Sequence, residues 1–174
     1  MASVKFFDGR TTATNVAGYT TVVAIPAVAG FDIPTLTLAE VEAGTRIDCA
    51  IRGLKITPDV KNSQDQFLCD ENKVEFAGAI EYSADDLILQ AGDPQNLDPF
   101  LTSLVRGQTI ILGERYGIKS ATDFAADQIM NRLTKAEVTF AGWVDPEAND
   151  EGKKAEWMVK LAVKGQKTNV TITA

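Results

Sequence analysis

PTLTLAEVEAGTRIDCAIRGLKIT, residues 34–57, contains both kinds of regular structure open to this chain. Thr37 followed three residues later by Glu40 is a capping-box pair. The threonine oxygen can accept a backbone N–H of the first turn, while the glutamate carboxylate accepts the N–H of the cap itself. A short helix is therefore expected from Thr37, and Gly44 suits the left-handed position that closes one. From Arg46 the period changes to two. Ile47, Cys49 and Ile51 fall on one face and Arg46, Asp48, Ala50 and Arg52 on the other, the alternation of a half-buried strand. This places Cys49 on the core side as a small hydrophobe. The apolar parity slips across Gly53 to Leu54 and Ile56, as at a β-bulge.

Upstream, Met1 to Gly18 is small, polar and aperiodic, which predicts an arm over residues 1–18 that orders only against neighbours. Tyr19 to Ile25, YTTVVAI, reads as a strand closed by Pro26, and Ala27 to Ile33 as a connection. Downstream, Thr57 to Asn72 is the longest polar stretch and reads as a long loop or arm over residues 57–72. It is either a flexible excursion with Phe67 held to the surface or an arm carrying an aromatic anchor to a neighbouring subunit. Pro58, Phe67, Leu68 and Cys69 are then the inter-subunit contact candidates.

Lys73 to Tyr82 alternates and is the expected antiparallel partner of the strand beginning at Arg46. Ser83 with Asp86 forms a second capping box, predicting a helix over Ala84 to Ala91. Asp98-Pro99 is the clearest helix start, since Asp caps well and proline fits the first helical position. Leu97, Leu101, Leu104 and Val105 would form its apolar stripe, with Gly107 at its end. Thr109 to Tyr116 is a strand ended by Gly117, and Ser120 to Arg132 fits a loop followed by a strand. Leu133 to Trp143 and Ala155 to Lys164 both alternate and should form a long hairpin across a turn at Asp145 to Lys154. Thr168 to Thr173 is expected at a sheet edge.

The 174 residues, 45% apolar and 24% charged, fit one soluble domain spanning 1–174, with no linker or repeat. The formal net charge of −7 and pI near 4.6 disfavour binding to a phosphate backbone, which is driven by Lys and Arg displacing counterions. MASVKFFDGR lacks the apolar core of a signal peptide, and Val22 to Phe31 is short and interrupted by Pro26, so a cytosol-like compartment is expected. Cys49 and Cys69 have no metal-like spacing, and the sequon Asn169-Val170-Thr171 reads as inert in that compartment. With no histidine, the commonest general base and metal ligand is missing. No phosphate-cradling glycine loop or nucleophile elbow is present. No catalysis, cofactor or metal is expected. Asp145, Glu147, Asn149 and Glu156 match part of a calcium-loop spacing, but Asp150 stands where that loop needs glycine, and the flanks read as strands.

Pro34-Thr35, Ala39-Glu40-Val41 and Ala43-Gly44-Thr45, leading into an alternating strand, resemble the N-terminal region of major tail (tail tube) proteins of long-tailed, non-contractile bacteriophages, especially those of actinobacterial hosts. The resemblance implies a mainly β fold, an antiparallel β-sandwich or half-barrel with two or three short helices. It further implies a structural virion protein, assembled in the host cytoplasm into stacked hexameric rings. In such a tube the sheets of successive subunits close an inner barrel through which DNA passes without specific binding. Other tail proteins (tape measure, tail tip, terminator) would be its partners, and no membrane is involved. Asp48, Glu75, Glu81, Glu137 and Glu156 are the acidic side chains available to line the lumen. Arg46, Arg52, Lys160 and Lys164 share those strand faces, so a uniformly negative lining is not required. The alternative from another class is a β-barrel or sandwich that binds a small ligand.

Overall fold

The structure, a computed structural model, describes residues 18–26, 36–60, 63–65, 74–76, 80–91, 97–144 and 155–174. In order, the elements are β1 (Thr20–Pro26), β2 (Leu36–Thr37), α1 (Leu38–Glu42), β3 (Thr45–Arg46), β4 (Ile51–Gly53), β5 (Ile56–Val60) and β6 (Ser63–Asp65). There follow β7 (Val74–Phe76), β8 (Ile80–Ala84), β9 (Leu87–Gln90), α2 (Pro99–Ser103), β10 (Thr109–Tyr116), β11 (Ile129–Trp143) and β12 (Glu156–Thr173). An eight-stranded sheet runs in the order β3-β1-β10-β11-β12-β9-β4, with β2 added in parallel at the end of β12. Two antiparallel ribbons, β5-β8 and β6-β7, stand beside it. The first and last strands of the sheet path, β3 and β4, are joined by residues 47–50 alone, so the sheet curls back toward itself. This is the antiparallel half-barrel with short helices that the sequence predicts.

β1 and β10 are buried on both faces, which is why VVAI and IIL read as unbroken apolar runs. Their side chains divide between two cores. Inside the curl, Val22, Ala24, Ile110, Leu112, Val138 and Val159 meet Leu87 and Leu89 of β9 and Leu101 and Leu104 at α2. Outside it, Val23, Ile25, Ile111, Met130, Leu133, Val170 and Ile172 pack against Leu36 and Val41 from β2 and α1. The left-handed Asn169 (φ 55°) lies between Val170, on the outer core, and Thr168. Met130 and Leu133, three positions apart on β11, both reach this cluster.

Both helix starts form as expected. Thr37 Oγ1 accepts from Glu40 N at 3.3 Å, and Glu40 Oε2 accepts from Thr37 N at 2.8 Å. Asp98 Oδ1 accepts from Phe100 N at 2.8 Å, with Pro99 at the first helical position. Five residues cannot hold a helix alone, and each helix is stabilised by the core residues it buries, Val41 for α1 and Leu101 for α2. Gly44 departs from its expected role: its φ is not positive. Instead, a Cβ there would lie 2.7 Å from Val23 Cγ2 and 3.0 Å from the Ala24 carbonyl oxygen, so glycine is needed for close approach of α1 to β1. The chain leaves α2 at Leu104, turning Val105 outward to 57% exposure and removing it from the expected stripe.

The long strand expected from Arg46 is broken. Ala50 N and Ile51 N both donate to the Ile47 carbonyl, closing a turn between β3 and β4. Ile47 is buried, but Cys49 is exposed, contrary to its expected place on the core face. The bulge at Gly53 is present: Ile51 faces Leu89 while Gly53 faces Ile88. Because the strand breaks, the pairing with Lys73 to Tyr82 also changes. β4 pairs with β9, β5 with β8, and β6 with β7. Residues 56–60 and 63–65, expected within or beside an irregular loop, are strands. The helix expected over Ala84 to Ala91 is the strand β9, whose buried Leu87 and Leu89 alternate with Ile88 and Gln90. Pairing with β12 and β4 on both edges outweighs the local capping signal. Thr168 to Thr173 is no separate edge strand, but the end of the 18-residue β12, paired with both β11 and β2. Residues 1–17 of the arm expected over 1–18, residues 27–33 of the expected connection, the expected turn at 145–154, and Phe67, Leu68 and Cys69 lie outside the described residues.

Candidate functional site

The β11-β12 hairpin, with β9 and β4 beside it, presents its outer face without a covering layer among the described residues. Three ion pairs cross this face. Arg52 Nε lies 3.6 Å from Glu156, Lys160 Nζ 3.8 Å from Asp86, and Lys164 Nζ 3.0 Å from Glu137. Between them stands Phe140, 47% exposed, its ring folded over Gly142. Exposed pairs of this kind contribute about 0.2–1 kcal/mol each and weaken with salt. Their collective effect is on potential: Arg52, Lys160 and Lys164 each have a carboxylate beside them, so these charges compensate one another.

Of the expected lumen residues, the fold brings Glu137 and Glu156 onto this face. Asp48 lies away from it in the β3-β4 turn, paired with Arg46 at 3.1 Å, and Arg46 also donates to the Ser120 carbonyl. Glu81 is exposed on β8 and Glu75 sits on β7, each in one of the ribbons. Of the contact candidates, Pro58 is exposed in the middle of β5, opposite Tyr82. At the far end of the same ribbon Val60 and Ile80 face each other at 52% and 55% exposure. Among the described residues no group of His, Cys, Asp and Glu could hold a metal. Asp145, Glu147 and Asn149 of the calcium-like spacing lie outside those residues, and Glu156 is engaged by Arg52.

Two polar clusters at one end of the sheet escape a reading by periodicity. On the inner face, Arg132 grips Glu114 through Nε at 2.7 Å and Nη2 at 2.6 Å, and the Tyr116 hydroxyl donates to the same carboxylate. On the outer face, Arg115 is fully buried. Its guanidinium donates to the carbonyls of Thr122 and Asp123, to Gln128 Oε1 and to Thr21 Oγ1, and lies 4.4 Å over the Phe124 ring. Burial lowers the Arg115 pKa, since no carboxylate is bonded to it. The available signal is the dipeptide Glu114-Arg115 inside an apolar run: charges in a strand covered on both faces need partners.

Burial raises the Tyr116 pKa well above that of an ordinary phenol, near 10, and the Glu114 hydrogen bond and charge add to the effect. The folded state holds this proton after the unfolded chain has released it. The associated stability is therefore complete below about pH 10 and declines as pH rises beyond it. Spectrophotometric titration of the folded protein should show a late-ionising phenol, and Tyr116→Phe should remove that component. A titration unchanged by the substitution would refute the assignment.

At the mouth of the curl, α2 borders a cleft of about 440 Å³ lined by Ile47, Ala50, Leu89, Leu97, Phe100 and Leu101. Arg46 and Asp98 also line it. A second cleft of about 410 Å³ lies on the other side of Phe100, against Ile25, Leu104 and Ile110. The inside of the curl itself is filled by the inner core.

A family model described as phage tail tube protein matches residues 10–174, all but the first nine residues. The chain belongs to the phage tail tube protein family. No curated protein matches it. Among solved structures, a chain of the anti-feeding prophage baseplate, determined by cryo-electron microscopy and six-fold symmetrised, is similar at 12% identity. The match covers 87% of this chain and 93% of that one with a TM-score of 0.45, a likeness too distant to bear on function. Family membership makes this a structural tail protein of the virion, one that assembles with other tail components.

Proposed function

We infer that the protein is the repeating subunit of a phage tail tube, built as hexameric rings that stack and conduct DNA into the host. The observation that carries this is the family match across residues 10–174 of a sheet with an uncovered strand face. A curled sheet with short edge strands, β3 and β4 having two and three residues, joins copies without offering long edges to disordered aggregation. Head-to-tail contacts are heterologous and do not close, which lets rings polymerise. The outer face of β11-β12 is the proposed lumen lining, with Glu137 and Glu156 among its residues. Its compensated charges neither hold nor strongly repel a polyanion. The ribbon ending in Val60 and Ile80 is the proposed contact arm.

Concentrated protein examined by negative-stain electron microscopy, with sedimentation in parallel, should give rings or hollow tubes of uniform diameter. Val60→Asp with Ile80→Asp should shift the population toward monomers while leaving the melting temperature near that of the parent. A monomer at every concentration, including in the presence of pre-formed tail tips as initiator, would overturn the reading.

A further inference from the structure

We propose that opposite ends of the half-barrel fit one another in successive copies of this chain, the Val105-Arg106 turn of one copy seating on the Tyr116, Asp127 and Ile129 end of the next. The two features flank β10. Val105 and Arg106 come just before its first residue, Thr109, where Gly107 N donates to the Val138 carbonyl. Tyr116 is its last residue, and its N–H donates to Asn131 Oδ1, two positions after Ile129 at the start of β11. Each end turns apolar side chains to solvent: Val105 is 57% exposed at one, Tyr116 42% and Ile129 45% at the other. Their charges are opposite. Residues 104–108 carry Arg106 alone, whereas residues 117–128 carry Lys119, Asp123 and Asp127, a net charge of −1. Arg106 and Asp127 are both exposed, and neither enters an ion pair among the described residues. In the contact Val105 packs on Tyr116 and Ile129 while Arg106 pairs with Asp127.

Both surfaces are fixed by their own chain before a partner arrives. Gln108 N donates to the Val105 carbonyl, Gln108 Oε1 accepts from Val105 N, and Gly107 supplies the positive φ of 87° that the turn needs. At the other end Asp127 holds a φ of 67° with its N–H donating to the Ile172 carbonyl, and Ile172 N donates in turn to Gln128 O. Surfaces held in this way lose little conformational freedom on contact. Their separation decides the kind of interface. β10 spans about 25 Å, so no chain can seat its own turn on its own Asp127 end, and a second copy must supply one of the two. Because the two surfaces differ, the contact is heterologous: each copy keeps a free turn on one side and a free acidic end on the other, and association does not close. Stacked rings need that geometry, so the proposal takes its setting from the tube reading and names the surfaces that meet within it.

Disulfide trapping in the full chain with Cys49→Ser and Cys69→Ser tests the contact. Mild oxidation of a concentrated mixture of Val105→Cys chains and Ile129→Cys chains should give a cross-linked dimer. Either variant oxidised alone should give several-fold less. With both substitutions on one chain a ladder of cross-linked oligomers is expected, because a disulfide needs Cα atoms within about 7 Å and cannot bridge the two ends of one molecule. Adding Arg106→Glu to the Val105→Cys chain should lower the mixed yield several-fold, and Asp127→Lys in the Ile129→Cys chain should restore it. An absence of cross-links in samples that electron microscopy shows as stacked rings would overturn the proposal and leave the tube reading standing. Cross-linked chains joined end to end without rings would uphold the proposal and overturn the tube reading. Equal cross-linking of either variant with itself would also overturn the proposal, since the contact would then be isologous.

Discussion

Arg115→Ala is expected to lower stability by about 3–5 kcal/mol, because the lost guanidinium leaves several buried acceptors without donors at about 1–3 kcal/mol each, partly relieved by relaxation. The acceptors are the Thr122 and Asp123 carbonyls, Gln128 Oε1 and Thr21 Oγ1. For a chain of this size the melting temperature should fall by about 10 °C. Arg115→Lys should recover little of it, since one ammonium cannot span acceptors arranged around a planar fork or stack on Phe124 in the same way. The effect should be local as well as global. Arg115 ties β10 to a segment that otherwise has few backbone bonds of its own, so hydrogen exchange at residues 120–128 should rise more than in β1 or β11. Thermal unfolding of Arg115→Ala within 2 °C of the parent, a shift smaller than the ~2–4 °C that a single kcal/mol brings, would show that these contacts contribute little.

Arg115 also marks where sequence reading stops. β1, β10 and the β11-β12 hairpin were legible because their side chains obey one strong rule, apolar runs where both faces are covered and alternation where one is. Asp98-Pro99 and Thr37 with Glu40 were legible because a cap is satisfied by residues within three positions. The segment from Arg46 to Gln90 was misread in several places, the expected loop that holds β5 and β6 among them, and two share one reason. The alternation Ile47, Cys49, Ile51 is compatible with a strand, but the chain must bridge the two ends of a curled sheet there, and the turn at residues 47–51 satisfies that closure. Likewise Ser83 and Asp86 suggest a helix cap, yet Leu87 and Leu89 have strands waiting on both sides. Long-range pairing decides such segments, and no local pattern records it. The candidate face was half legible: alternation separates Glu137 and Glu156 from the core. The Glu137–Lys164 pairing depends on the β11-β12 register, which β-bulges shift at Lys135/Ala136 and Val138/Phe140, and the Glu156–Arg52 pairing on the irregular step between Ile51 and Gly53 against β9.

Glu114→Ala should cost about 3 kcal/mol, the lower end of what is lost when one member of a buried ion pair is removed, because Arg132 keeps some access to water. Glu114 is 4% exposed and receives three donors, two from Arg132 and one from Tyr116. Glu114→Gln keeps one acceptor oxygen but loses the charge and turns an amide NH2 toward one of these donors, and should fall between the parent and Glu114→Ala. The pair need not be a net source of stability, since desolvating both charges offsets much of their attraction. Replacing both by apolar residues of similar volume, Glu114→Leu with Arg132→Met, is therefore expected to be much milder than Glu114→Ala alone, within about 1 kcal/mol of the parent. Denaturant unfolding of the single and double variants measures the coupling directly. If the double variant were as damaged as the sum of the two single replacements, the coupling would be zero and each side chain would contribute independently of the other. If it unfolds like the parent, then the role of Glu114 and Arg132 is to fix register. Their side chains meet across β10 and β11 at the Glu114–Arg132 step of the ladder, and a one-residue slip would separate them and bury each charge alone.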